Sequence, residues 1–117
     1  MDYDEENIFA KILKNEIPSD IVGDNKNAIA FRDIFPKAKI HILIIPKNKY
    51  VNYFHFVSTA SNQEILDLNL LIKDMIVKFK LDKTGFRLIS NSGKDSNQEV
   101  PHLHFHLLGG QNLKEMI

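Results

Sequence analysis

Between Pro101 and Leu108 the chain reads Pro-His-Leu-His-Phe-His-Leu-Leu, with His102, His104 and His106 at every second position and large apolar residues between them. Period-two alternation of this kind is the pattern of a half-buried β-strand, which commits this part of the chain to a sheet. Side chains two apart share a sheet face at roughly 6.6–6.8 Å per step. Three imidazoles are therefore expected in a row, while Leu103, Phe105 and Leu107 enter the core. Imidazole titrates nearest neutral pH of the ordinary side chains, so a grouped set points to nucleophilic attack, proton transfer or metal binding.

The rest of the chain supplies partners for that strand. Ile8, Ile12 and Leu13, with Phe9 beside them, recur at helical spacing until Pro18, predicting a short amphipathic helix. Residues 19–23 and 28–33 are β-prone runs around the turn formers Gly23-Asp24-Asn25-Lys26-Asn27, predicting a hairpin with Asp33 at the end of its second strand. Ile40-His41-Ile42-Leu43-Ile44-Ile45, ended by Pro46, is nearly continuous in apolar residues, as expected of a central strand covered on both faces. The aromatic-rich stretch from Tyr50 to Ser58 reads as loop or short helix. Ser61 and Glu64 then form an S-x-x-E capping box, and Ile65, Leu68, Ile72, Met75, Ile76 and Phe79 repeat at three and four residues, predicting the major helix. Leu70, Leu71 and Val77 widen its apolar surface, which suits either a broad core contact or a second subunit. After Gly85, Phe86 to Ser90 alternates as another strand, and a polar loop from Asn91 to Glu99 leads to the histidines. No repeat or linker divides the chain, so residues 1–117 are expected to form one compact α+β unit.

Composition narrows the class. A length of 117 residues with 44% hydrophobic content suffices for a single core. The absence of cysteine excludes disulfide scaffolds and thiolate metal sites, and favours an intracellular location. The first six residues are acidic where a presequence is basic, and no apolar run approaches membrane-spanning length. A cytoplasmic location is therefore expected, with nuclear entry left open and no membrane partner. Fifteen basic residues balance fifteen acidic ones, which argues against a general nucleic-acid binder. Lys37, Lys39, Lys47 and Lys49 read as a solvated rim around the central strand.

Three readings of the histidine row compete. Three imidazoles suit zinc with one open coordination position, but nothing beside them in sequence offers the carboxylates that orient such ligands. A purely structural row adds desolvation cost without a packing gain. A catalytic row divides the work, one ring attacking while others stabilise charge and deliver a proton. The loop Asn91-Ser92-Gly93-Lys94-Asp95-Ser96-Asn97-Gln98 favours the last, because small and amide residues supply donors around an anion. Phosphoryl chemistry becomes the leading class.

At this point His102-Leu103-His104-Phe105-His106-Leu107-Leu108 resembles the His-x-His-x-His-x-x pattern of the histidine-triad nucleotide-binding proteins. The likeness extends over Ile8-Phe9-Ala10-Lys11-Ile12, Glu16-Ile17-Pro18, Ala30-Phe31-Arg32-Asp33-Ile34, His41 to Lys47, and Leu108-Gly109-Gly110, all of which look like the Hint branch. The resemblance implies an α+β histidine-triad fold, a mainly antiparallel five-stranded sheet with one long and one short helix per protomer, usually paired as a homodimer. It implies a purine nucleoside phosphoramidase that cleaves the P–N bond of adenosine or guanosine 5′-phosphoramidates without a metal or other cofactor. By that analogy His104 attacks phosphorus, His106 contacts the phosphate and assists the departing amine, His102 positions the nucleophile, and His41 is the fourth histidine of the site. Asp33 matches the carboxylate that holds the ribose hydroxyls. Ile8, Phe9, Ile12, Ile17, Phe31, Ile34 and Leu43 match the base pocket. Asn91 matches a phosphate-side amide, and Asn97, Gln98 and Glu99 complete the expected nucleotide-binding set.

The chain departs from the family pattern at several positions. Ser96-Asn97 stand where Gly-Gly is usual, Pro101 replaces an aromatic before the first histidine, and Gln111 follows Gly109-Gly110 where arginine is common. From another functional class, a nucleotide-binding interaction module without turnover is the competing hypothesis. The presence of all three triad histidines together with His41 favours the enzyme.

Overall fold

The computed structural model describes residues 2–115. Five strands, β1 (Ile21–Asp24), β2 (Ala28–Arg32), β3 (Ile40–Pro46), β4 (Phe86–Ile89) and β5 (Phe105–Gly109), form one antiparallel sheet in the order β1-β2-β3-β5-β4. The continuous apolar run at Ile40 thus becomes the middle strand, and its residues from His41 onward are buried. Helices α1 (Ile8–Leu13), α2 (Tyr53–Thr59), α3 (Asn62–Lys78) and α4 (Leu81–Thr84) complete the fold.

Alternation sorts the sheet into two faces. Ala28 and Ala30 of β2, Ile42 and Ile44 of β3 and Leu107 of β5 pack with Leu68, Leu71, Ile72 and Met75 of α3. The two alanines and Gly23 let the helix approach closely; a Cβ at Gly23 would lie 2.5 Å from Met75 Cε. On the opposite face Ile29, Phe31, Leu43 and Ile45 pack with Phe9 and Ile12 of α1. Helices α1, α2 and α3 each start on a side-chain cap, which satisfies a backbone donor left free at the first turn. The Asn7 side chain accepts from the Ala10 N–H at 2.9 Å, and Ser61 and Glu64 close the reciprocal capping box of α3.

Two expectations need correction. The histidine strand does not start at His102: regular pairing begins at Phe105, so His102 and His104 precede the ladder. Their backbone is held elsewhere, with the Leu103 N–H on the Tyr50 carbonyl at 2.7 Å and the Ser90 hydroxyl on the His104 carbonyl at 3.0 Å. Leu103 and Leu107 are fully buried as expected, while Phe105 is only partly so. Second, one short helix becomes three, because α2 and α4 join α1. The apolar surface of α3, for which the sequence leaves both readings open, divides: Leu71 is core, whereas Leu70 and Val77, with Leu66, are exposed. Among the described residues no helix is long and apolar enough to cross a membrane.

Candidate active site

The sheet face beneath α1 carries the histidines. In the β3–β5 register Leu43 lies opposite His106 and His41 opposite Leu108, so His41 and His106 are diagonal neighbours on one face. A cavity of about 670 Å³ opens over them, lined by His41, His104 and His106. It brings together Ile8, Phe9, Ile12, Ile17, Phe31, Ile34 and Leu43 with Asp33, Asn91, Asn97 and Glu99. Two residues of the expected set lie outside its lining. His102 is fully buried behind the row. Gln98 braces the loop: its Nε2 donates to the Val51 and Val100 carbonyls and its Oε1 accepts the Gly93 N–H.

Main-chain atoms decide where His41 and His104 carry their protons, and His41 in turn decides for His106. Lys37 N–H points at His41 Nδ1 at 3.0 Å, so that nitrogen is an acceptor and the His41 proton sits on Nε2. From there it is donated to His106 Nδ1 at 2.9 Å, with the Asp33 carboxylate 3.4 Å away. His106, accepting at Nδ1, keeps its own proton on Nε2. His104 runs the opposite way. Its Nδ1 lies 2.7 Å from the His102 carbonyl, which can only accept, so Nδ1 carries the proton and Nε2 is left with a free lone pair. The row therefore presents one nucleophilic nitrogen beside one N–H donor.

Burial favours the neutral forms. It lowers His104 below its usual value, opposed by the His102 carbonyl and the carboxylates of Asp33 and Glu99. Burial, with His104 and His41 nearby, pushes His106 down to about 4. His41 is lowered chiefly by burial, with Asp33 pulling the other way. At neutral pH the free lone pair is thus available for attack.

Asp33, His41 and His106 bring ligand atoms within 4.8 Å of one another, the geometry a cation could use. The donor set does not suit one. A metal on His41 Nε2 would leave the proton on Nδ1, aimed at the Lys37 N–H that already occupies that position.

The loop departures have local explanations. Asn97 adopts φ 60°, the left-handed region that asparagine tolerates better than most residues, so it stands in for glycine there. The Ser96 hydroxyl turns inward to the Gly93 carbonyl at 3.1 Å. Pro101 lies ahead of the ladder, where its missing N–H costs no sheet bond. Gln111 accepts the Lys39 N–H at 2.7 Å, tying the tail to the start of β3.

Sequence reasoning missed Ile89 and Leu108, both in the cavity wall. Register finds them, since Ile89 pairs with His106 and Leu108 with His41. It also missed Lys37, which lines the rim and contributes the backbone N–H that orients His41, and Tyr3, whose hydroxyl meets His102 Nδ1. No periodicity signals either.

A five-stranded antiparallel sheet carrying this histidine row defines a class, and the profile of the HIT domain matches residues 14–113. The chain belongs to the HIT family. It is 42% identical over 113 residues to the purine nucleoside phosphoramidase of Escherichia coli K12, spanning 97% of this chain and 94% of that protein. An uncharacterized HIT-like protein of Rickettsia prowazekii is 44% identical over 115 residues, 98% of this chain and 96% of the relative. Among solved structures, a histidine triad protein from Clostridium difficile matches with a TM-score of 0.84 at 35% identity, covering all of both chains.

Proposed function

We propose that the protein is a purine nucleoside phosphoramidase, hydrolysing the P–N bond of adenosine or guanosine 5′-phosphoramidates through a nucleotidyl-histidine. The observation that carries this reading is the free Nε2 of His104, fixed by the commitment of Nδ1 to its own main chain and set beside the Nε2–H of His106. The 42% identity to a protein of that activity supports it.

The purine lies among Ile8, Phe9, Ile12, Ile17, Phe31, Ile34 and Leu43, and the ribose hydroxyls donate to Asp33. Asn91, Asn97 and Glu99 border the phosphate side, with Gln98 bracing their loop. An arriving phosphate anion favours the imidazolium of His106, reversing the effect of burial; its Nδ1 then becomes a donor and the His41 Nε2–H turns to the Asp33 carboxylate 3.4 Å away. His104 Nε2 attacks phosphorus and the P–N bond breaks. The amine leaves with the proton of His106, and the positive charge that develops on His104 is held by its Nδ1–H bond to the His102 carbonyl. Water then attacks the nucleotidyl-histidine, giving its proton to the now neutral His106 and releasing the nucleoside monophosphate.

A homodimer is part of the proposal. Leu66, Leu70 and Val77 on α3, and Phe86 and Leu88 on the edge strand β4, are apolar surface that a second copy would cover.

Turnover of adenosine 5′-phosphoramidate by wild type and His104→Ala tests the reaction. Wild type is expected to turn over and to keep its rate after exhaustive chelation, and the variant to lose about four orders of magnitude or more. Wild type that binds AMP yet hydrolyses nothing refutes the enzyme and leaves a nucleotide-binding module. Rate lost on chelation and restored by zinc refutes the metal-free route.

A further inference from the structure

His102 lines none of the cavity, yet both of its ring nitrogens are engaged. Nε2 lies 2.9 Å from the Pro46 carbonyl and Nδ1 meets the hydroxyl of Tyr3, 99 positions away in the chain. A carbonyl only accepts, so the proton is on Nε2 and Nδ1 is the acceptor for Tyr3. The backbone carbonyl of the same residue is what sets the tautomer of His104. One residue thus connects Tyr3 to the nucleophile.

Tyr3 is held there by the segment that follows it. The Glu5 carboxylate reaches Lys49 at 2.8 Å and Lys14 at 3.6 Å. The Asn7 side chain donates to the Asp4 carbonyl at 2.7 Å. Lys49 adjoins Tyr50, whose carbonyl takes the Leu103 N–H, so the lead-in and the chain between His102 and His104 share an anchor. The Tyr3 ring meets His102 edge to face, with centroids 5.5 Å apart. Burial raises the phenol above its usual value, which keeps it a donor.

We propose that Tyr3 is a positioning residue for the nucleophile: by donating to His102 Nδ1 it locks that ring against Pro46, and so holds the His102 carbonyl on His104 Nδ1. The need for it arises from the fold. Residues 102 to 104 stand before the first ladder pair of β5, so sheet hydrogen bonds do not fix them. Without the hydroxyl, the buried His102 has an unmet acceptor at Nδ1; Pro46 still keeps the proton on Nε2, but the ring has lost one of its two anchors and is free to tilt, carrying the His102 carbonyl off His104 Nδ1. The kinetic consequence rests on the reaction proposed for His104; the orientation of the two rings does not.

Tyr3→Phe removes the hydroxyl and keeps the ring contact. In the full chain with 15N-labelled histidine, long-range 1H–15N correlation reads each tautomer. The variant is expected to keep the Nε2–H tautomer at His102 while shifting its Nδ1 signal, and to shift His104 Nδ1 as well. Its kcat for adenosine 5′-phosphoramidate should fall about threefold to tenfold, with KM and AMP affinity unchanged. Unaltered signals at His102 and His104 overturn the proposal whatever the activity. Unaltered kcat in an active wild type overturns it too. If wild type shows no turnover, the proposed reaction fails, and the His104 signal alone decides for Tyr3: a shift sustains its role and no shift ends it.

Discussion

Acidification from pH 7 to pH 5 should destabilise the protein through its buried histidines, and His102 allows the size to be worked out. The residue has no exposed surface, and burial pushes it down to about 4 against a usual value of 6.5, outweighing the favourable Pro46 carbonyl. Above pH 6.5 the ring is neutral whether the chain is folded or unfolded, so it contributes no pH dependence. As pH falls below 6.5 the unfolded chain binds a proton that the folded chain refuses, and stability drops until pH reaches about 4. The loss from this residue alone is about 2 kcal/mol by pH 5 and about 3 kcal/mol by pH 4. Small domains have only about 5–15 kcal/mol in total. His104, His106 and His41 are lowered as well and act in the same direction. Urea unfolding between pH 7.5 and 5 measures this, with the slope of stability against pH giving the protons taken up on unfolding. His102→Gln, whose amide can still donate to Pro46, should start less stable and show a slope shallower by nearly one proton. A midpoint that stays level from pH 7 to pH 5, or an unchanged slope in His102→Gln, would refute the reasoning.

Asp33→Asn should weaken AMP about tenfold or more by calorimetry, the scale of losing hydrogen bonds to a charged acceptor, while 2′,3′-dideoxy-AMP loses little. Equal losses for both ligands would remove Asp33 from the ribose. Sedimentation equilibrium should give twice the 13.5 kDa chain mass for wild type, and Leu70→Glu with Leu88→Glu should halve it. A wild type that sediments as a monomer would end the dimer proposal.

What could be read from residues alone follows from which signals are local. β3 was recognisable as the middle strand because apolar residues on both of its faces admit no other position in a sheet. α3 was recognisable because its capping box and apolar stripe occur together. α2 could be read only as loop or short helix, because its one buried residue is Phe56 and its Phe54 and Val57 face outward, leaving no stripe to decide between them. The histidine alternation reported which way side chains point but not how the backbone is paired. Residues 102 to 104 alternate as strand residues do while bonding to Tyr50 and Ser90 instead of a neighbouring strand. Asp33 and the triad histidines were visible through their types and spacing. Tyr3 and the Lys37 N–H were not, since one acts across nearly the whole chain and the other through an atom every residue but proline possesses.

That last point bears on how such a site can diverge. The protons of His41, His102 and His104 are each assigned by a main-chain group, at Lys37, Pro46 and His102. The side chains at 37 and 46 take no part in that assignment. The rim is therefore free to change charge, bulk and substrate preference while the catalytic protonation pattern is inherited intact from the path of the backbone. The restriction falls on one kind of replacement: proline at position 37 would erase the N–H that orients His41, a lesion that a scan by residue charge or size would never anticipate.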